Sequence, residues 1–224
     1  MKAIALIPAR GGSKRLPRKN VIGFLGRPII AYTIEAAFQS GCFDHVVVST
    51  DDEEISDAAK ASGAKVAIRP SALASDEASV AETCLNFLET ETGYDILCCL
   101  YATAPLRNAD DIRHVVSLID PGRCDFAMAL TEYSYPPFQA LRQVENGSLL
   151  PMFPDLVAKK SQDIGPLLVD NGSTYAVSIP AFQRTGGFYG PGLKGHVMPP
   201  SRSVDLERAN DLKLLEFFAK DEGL

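Results

Sequence analysis

Between Ala3 and Leu130, short apolar runs alternate with stretches of helical spacing, and this alternation constrains the fold more than any other feature. The runs are AIALI from Ala3, HVVVST from His45, KVAIRP from Lys65, ILCCLY from Ile96 and DFAMAL from Asp125. The longer ones are near-continuously apolar, as strands are when a sheet is covered on both faces. The segments between them carry helix punctuation. PIIAYTIEAAFQS begins at Pro28, which suits a first helical turn, and stops before Gly41, which suits the position past an end. DDEEISDAAKASG has acids at its start and glycine at its end. Ser79 to Glu89 reads as a third helix, and Asn108 and Asp110 are caps for a fourth that runs to Ile119. Such alternation builds βαβ units, hence an α/β fold with a mostly parallel sheet. Ligands in these sheets bind beyond the carboxyl ends of the strands.

The loop after the first strand leaves such an end. It reads PARGGSKRLPRKN and crowds Arg10, Lys14, Arg15, Arg18 and Lys19 together. The chain as a whole is acidic, with formal net charge -6, yet no acid precedes Glu35. Glycines let backbone approach a phosphate, exposed N–H groups bind anions, and Lys and Arg neutralise their charge. A confined basic loop on an acidic protein fits a small polyanion better than nucleic acid, which needs a broad basic face. A solvated loop beside acidic neighbours is the bland alternative. The position after the first strand favours the phosphate reading. Neither GxxxxGK[ST] nor GxGxxG occurs, which weighs against generic kinases, GTPases and NAD-binding proteins.

The rhythm breaks after Leu130. Tyr133 to Pro137 is aromatic and Pro-rich, and QVENGSLL carries an Asn-Gly turn between apolar residues, a hairpin signal. Residues from about 131 to 168 therefore read as an inserted arm. STYAVS resumes a strand, RTGGFYGPGLKG is a glycine-rich loop, and Leu206 to Lys220 is an amphipathic helix with Leu212, Leu215 and Phe218 near one face. With 224 residues, the chain suits a single domain spanning 1–224. No apolar run approaches the roughly 20 residues that cross a bilayer, so a soluble cytoplasmic protein is expected, with no membrane partner. The five cysteines form no pair of CxxC motifs, and Cys98 and Cys99 sit inside ILCCLY. They read as buried reduced thiols rather than a zinc site.

IPARGGSKRLPRKN resembles the nucleotide-binding signature of the acylneuraminate cytidylyltransferases, also called CMP-sialic acid synthetases. The resemblance continues through GRPIIAYTIEAA, VVVSTDDEEI, RPSALASDEAS, TAPLR, DNGSTY and VDLERANDL, and so covers most of the chain. The Lys19-Asn20 ending favours this family over the related CMP-Kdo synthetases. The resemblance implies a Rossmann-like nucleotidyltransferase sheet flanked by helices, with the arm as a dimerisation element of a homodimer. It implies an Mg²⁺-dependent enzyme that joins CTP to a nine-carbon 2-keto acid sugar and releases pyrophosphate.

By position, the resemblance also implies roles. Arg10 and Lys19 would contact the CTP phosphates, Asn20 would lie near the nucleotide, and Ala9, Gly11 and Ser13 would shape the loop. Arg69 and Ser79 would lie around the cytidine. Asn171 and Tyr175 would line the sugar pocket, with Tyr101 near it. Asp205 would hold Mg²⁺ with Glu207 and, with Arg10 and Lys19, serve catalysis. Structural readings stand beside these. Arg69 before Pro70 would close a strand, Ser79 would cap a helix, Asn171 beside Gly172 would make a turn, and Tyr175 would be core. Asp205 and Glu207 would be acids favoured at a helix start.

Two departures bear on the substrate. The sialic acid enzymes usually carry a QPTSPLR-like segment, whereas this chain reads YATAPLR, with Tyr101 and Ala102 in the altered positions. CCLYATAP resembles the pseudaminic acid cytidylyltransferase branch, while DNGSTY resembles the neuraminate branch. Glu207 stands where aspartate is usual in the family. CMP-Kdo synthesis is the nearest alternative activity, and a non-catalytic CTP-binding sensor is the rival from another class. None of His45, His114 and His196 has an evident partner in the sequence.

Overall fold

The computed structural model describes residues 1–223, apart from the side chain of Ser161. The first half holds β1 (Ala3–Pro8), a small hairpin of β2 (Gly23–Phe24) and β3 (Arg27–Pro28), α1 (Ile29–Ser40), β4 (His45–Thr50), α2 (Glu53–Ala61), β5 (Lys65–Ile68), α3 (Val80–Thr90), β6 (Ile96–Leu100) and α4 (Ala109–Ser117). The second half holds β7 (Phe126–Glu132), β8 (Leu141–Gln143), β9 (Leu149–Pro151), α5 (Ser161–Ile164), β10 (Leu168–Ser178), α6 (Ile179–Thr185), β11 (Lys194–Val197) and α7 (Ala209–Asp221).

Seven strands form the central sheet in the order β11-β7-β10-β6-β1-β4-β5. β1 pairs in parallel with β4 and β6, in the registers Ile7↔Val48 and Ala5↔Cys98. β10 runs antiparallel to both β6 and β7, and its register slips between Asp170 and Tyr175. The sheet is thus the mostly parallel one that the alternation implies, with one reversed strand. Pro8, Thr50 and Leu100 end their strands on one edge, and the β10 irregularity lies there too, because β10 enters from that side.

Period-2 alternation divides the core between the two faces of the sheet. Ala5, Ile7, Val48, Cys98 and Leu100 pack on one face with Ile30 and Ile34 of α1 and with Ile112 and Val115 of α4. Ile4, Leu6, Val47, Leu97 and Cys99 pack on the other with Cys84 and Phe87 of α3 and Phe182 of α6. A third cluster joins Phe24, Ile29, Leu106, Leu206 and Leu215. It seats α7 and the segment before it beside the carboxyl edge of the sheet. Fully buried Leu206 alone contributes about 2 kcal/mol to that seating.

Helix punctuation reads well from the sequence. Gly41 ends α1 in the left-handed region at φ 65°, Asp52 caps α2, and Ser79 caps α3 in a reciprocal box with Glu82. Asn108 caps α4, but Asp111 closes its box, whereas Asp110 pairs with Arg113. α4 ends at Ser117 rather than Ile119. The last helix begins at Ala209 rather than Leu206, since residues 203–207 have no regular structure. The Asn-Gly signal makes the β8–β9 hairpin, with Gly147 at φ 84°. α6, β11 and the β2–β3 hairpin are short elements that carry no period long enough to read. Cys84, Cys98, Cys99 and Cys124 are buried and Cys42 is partly so, all as free thiols, and burial pushes the Cys98 thiol up. Among the described residues, no helix is long and apolar enough to cross a membrane.

Candidate active site

The loop after β1 is folded by contacts to its own backbone and to the start of α2. Buried Ala9 donates its N–H to Ser49 O at 2.9 Å, extending the β1–β4 pairing past the strand end. Gly11 N donates to Asp51 Oδ1 at 3.1 Å, and Ser13 N returns to Gly11 O at 2.9 Å. A Cβ on Gly11 would come within 2.7 Å of Asp52 Oδ2, so this close approach needs glycine. Buried Asn20 donates its amide to Arg10 O at 2.9 Å and ties the far end of the loop to its start.

A cavity of about 400 Å³ opens between this loop and the carboxyl edge of the sheet. Arg10, Ser13, Lys19 and Asn20 of the loop line it, together with Arg69, Ser79 and Tyr101; neither Asp205 nor Glu207 is among its lining residues. Arg69 is buried, with Nη2 on Ser49 O at 2.9 Å, and burial lowers its pKa. It therefore both closes the strand edge and faces the cavity. Ser79 likewise does two things, since its Oγ accepts from Glu82 N at 3.1 Å while the residue lines the cavity.

Each loop cation has a carboxylate neighbour. Arg10 Nη2 lies 2.6 Å from Asp76 Oδ1, and Lys14 pairs with the same carboxylate. Hydrogen bonds from Lys14 and Arg10 hold Asp76 below the usual carboxylate range. Lys19 Nζ lies 3.2 Å from Glu207 Oε1, Arg15 pairs with Glu207 as well, and Arg18 pairs with Glu54. The basic loop thus has both of the properties that its sequence left open: acidic neighbours and a lined cavity. The pairs of Lys14 and Arg18 are exposed and hold weakly, whereas Lys19 is more enclosed.

Beyond Tyr101 lies an aromatic cluster. The Tyr101 and Tyr175 ring centroids are 5.4 Å apart, and Phe188 packs on Tyr175 at 5.1 Å. Burial pushes the Tyr101 and Tyr175 phenols up. The Tyr175 hydroxyl donates to Asp170 at 2.9 Å, and the Tyr189 hydroxyl joins it on Asp170 at 2.8 Å. Tyr175 is thus core in its ring and bonded at its tip, and it is not among the residues lining the cavity. Asn171 is buried and turned inward: its amide donates to Ser203 Oγ at 3.1 Å and its oxygen accepts from Ser173 Oγ at 2.8 Å. It supports the β10 irregularity rather than facing the cavity. Asp170, Thr103, Asp76 and Arg107 are residues that sequence reasoning quoted inside motifs but did not single out. Their positions depend on neighbours far away in the chain, and no local spacing marks them.

Asp205 and Glu207 flank buried Leu206, whose N–H donates to Thr103 O at 2.9 Å. Burial raises the Asp205 pKa, against a lowering hydrogen bond from Thr103 and the charge of Lys19. Asp205 Oδ1 is buried without a hydrogen-bond partner. A desolvated, unpartnered carboxylate oxygen is costly unless a cation completes it. Among the described residues, no three His, Cys, Asp or Glu side chains gather closely enough to hold a metal. Two carboxylates nevertheless fit Mg²⁺, which takes one or two from a protein and its other oxygens from substrate phosphates and water.

The histidines do have partners. His196 Nε2 lies 3.1 Å from Asp111 Oδ1 and its ring stacks on His114 at 4.7 Å, while His45 meets Tyr94 edge-on. These contacts cross between elements distant in sequence, so the sequence alone conceals them.

A sequence model of the cytidylyltransferase family matches residues 4–133. The chain is 37% identical to the pseudaminic acid cytidylyltransferase of Campylobacter jejuni subsp. jejuni serotype O:2, over 98% of this chain and 97% of that one. It is 32% identical to an N-acylneuraminate cytidylyltransferase of Escherichia coli O18:K1:H7, over 95% of this chain and 51% of that longer protein. Among solved structures, CMP:2-keto-3-deoxy-manno-octonic acid synthetase complexed with CTP superposes with a TM-score of 0.76. That match covers 99% of this chain and all of the other at 19% identity, so it speaks for the fold. The family match over more than half the chain, and the identity to a relative across nearly the whole of both, are decisive: the chain belongs to the cytidylyltransferase family and is a nucleotidyltransferase.

Proposed function

We propose that this protein transfers the cytidylyl group of CTP to the anomeric hydroxyl of a nonulosonic acid, a sialic-acid-like nine-carbon 2-keto acid sugar, and releases pyrophosphate. The observation that carries the reading is the end-to-end identity of 37% to a pseudaminic acid cytidylyltransferase, combined with a cation-lined cavity at the sheet edge. That relative makes pseudaminic acid the first sugar to test.

The residues divide the work. Arg10 and Lys19 hold the triphosphate and supply fixed positive charge where negative charge develops. The loop backbone, shaped by Ala9, Gly11 and Ser13, brings the phosphates close, and Asn20 fixes the loop against Arg10. Arg69 and Ser79 bound the nucleoside end. Tyr101 marks the sugar end, with Tyr175 behind it and Asn171 holding the β10 irregularity. The anomeric oxygen attacks the α-phosphorus in line. The new P–O bond forms as the bond to the bridging oxygen breaks, pyrophosphate leaves with that electron pair, and the hydroxyl proton passes to solvent. Positioning and electrostatics suffice, with no covalent enzyme intermediate. Mg²⁺ held by Asp205 and Glu207 would neutralise phosphate charge.

The whole chain acts as one domain, with the arm of about 131–168 as its dimerisation element. Supporting this, Tyr135, Leu141, Leu149, Leu150, Met152 and Phe153 are exposed apolar residues concentrated in the arm. Such a concentration marks an interaction surface. Free thiols throughout suit a reducing cytoplasm.

Pyrophosphate release should be assayed with CTP, Mg²⁺ and a panel of pseudaminic, neuraminic and legionaminic acids plus Kdo. Release with a nonulosonic acid is expected. Release with Kdo alone would move the activity to CMP-Kdo synthesis. Silence across the panel with CTP binding intact would point to the sensor.

A further inference from the structure

Asp205 is carried on a segment that must hold a carboxylate where it is poorly solvated. Its Oδ1 is buried and unpartnered, and residues 203–207 have no regular secondary structure to fix them. Three anchors surround it within a few residues. Leu206 N donates to Thr103 O at 2.9 Å. Ser203 Oγ accepts from Asn171 at 3.1 Å. Arg202 donates to Asp111 through two nitrogens, Nε to Oδ2 at 3.2 Å and Nη2 to Oδ1 at 2.9 Å.

The Arg202 anchor differs in kind from the other two. Asp111 is 1% exposed and sits in the first turn of α4, so it belongs to the rigid sheet-and-helix body. Its carboxylate also accepts from Asn108 N and faces His196, so it is fully engaged and has no other position to take. A two-pronged guanidinium–carboxylate pair fixes orientation as well as distance. The other contact of Arg202 is to Glu222 at 3.7 Å, at the end of α7, where it is looser.

We propose that Arg202 is a positioning residue, whose fork on buried Asp111 fixes the segment that holds Asp205 beside Thr103 and Lys19 of the cavity lining. The inference rests on the cytidylyltransferase reading above. It predicts that loss of the fork loosens the segment while the loop's own anchors, Gly11 N on Asp51 and Asn20 on Arg10 O, stay in place.

The test compares Arg202→Met, Arg202→Lys and, as a control, Glu222→Gln. Hydrogen exchange of residues 199–208 is read alongside Mn²⁺ binding in the presence of CTP and the Mg²⁺ concentration for half-maximal rate. Arg202→Met is expected to speed exchange of the Leu206 amide and to weaken Mn²⁺ binding and raise the Mg²⁺ requirement about tenfold. CTP affinity without metal should stay within about twofold. Arg202→Lys should recover only part of the loss, because a single ammonium cannot reproduce the fork. Glu222→Gln should leave all three readings unchanged. Unaltered exchange and metal binding in Arg202→Met would overturn the proposal, as would full recovery by lysine. If Arg202→Met does not fold, Arg202→Lys decides alone, since it must show the partial defect. Failure of the wild type to release pyrophosphate with any sugar would strike the cytidylyltransferase reading instead, leaving the exchange result to judge Arg202.

Discussion

Lys19 Nζ lies 3.2 Å from Glu207 Oε1, joining the basic loop after β1 to the segment ahead of α7 across 188 residues of sequence. The contact brings the cation expected on the triphosphate beside the carboxylates expected on the metal. Asp205 feels the same ammonium, which lowers its pKa against the rise from burial.

Replacing Lys19 by Met should cut kcat/KM by about a hundredfold, the usual effect of deleting one fixed charge at a reacting phosphate. Lys19 is 18% exposed and shaped into the cavity edge, so the fold should survive. Steady-state kinetics with CTP as the varied substrate check this; an unchanged kcat/KM would remove Lys19 from the site.

Gly11→Ala tests the loop by steric means. The added Cβ would meet Asp52 Oδ2 at 2.7 Å, and Asp52 is engaged in capping α2 through Ile55 N at 2.9 Å. Relief requires moving the loop or losing the cap, at about 1–3 kcal/mol. CTP affinity should fall about tenfold, with a lower Tm, by calorimetric titration and thermal melting.

Tyr101 lines the cavity, packs on Tyr175 and is proposed to meet the sugar. Tyr101→Gln should change the order of preference among nonulosonic acids by about tenfold in kcat/KM, leaving KM for CTP within twofold. Competition assays with paired sugars read this directly. Equal losses for every sugar would make Tyr101 a packing residue.

Asp111 gives the protein an acid-sensitive fastening. Burial alone would raise its pKa, but hydrogen bonds from Arg202, Asn108 N and His196 outweigh it, so the folded value lies below the ordinary 3.8. A depressed carboxylate contributes stability that is complete above its unfolded pKa and lost as pH falls through the folded value. Asp111→Asn should therefore cost about 3 kcal/mol near pH 7 and flatten the loss of stability below about pH 4. Urea melts across that range would show it.

The arm should hold two copies together. Sedimentation equilibrium should give a dimer, and Leu149→Lys with Leu150→Lys should shift it toward monomer while leaving the far-UV spectrum intact. A wild-type monomer at every concentration would contradict the dimerisation role.

The parallel core of the fold was legible because its strands are continuous apolar runs and its helices carry explicit caps at Gly41, Asp52, Ser79 and Asn108. The lining of the cavity was legible for a related reason. Its residues lie in one loop, from Ala9 to Asn20, or directly at strand ends, as Arg69 and Tyr101 do. The remaining contacts were not. Asn171 sits beside Gly172 in DNGSTY, and only the slip of β10 decides that its amide turns inward to Ser203. Asp111, Arg202 and His196 come from a helix, a short turn and an edge strand, and no period or motif links them. Asp76 looks like one more acid in a polar stretch until Arg10 and Lys14 are seen to share it. What the sequence withheld was long-range pairing of charges, which spacing along one chain does not encode.

The most direct measurement is ³¹P NMR of the protein with CTP, Mg²⁺ and pseudaminic acid. The expected result is loss of the three CTP resonances with appearance of one phosphodiester signal and pyrophosphate in equal amounts, a CMP-sugar and its leaving group. CTP that persists unchanged while bound, or that yields CDP and inorganic phosphate, would contradict transfer at the α-phosphorus.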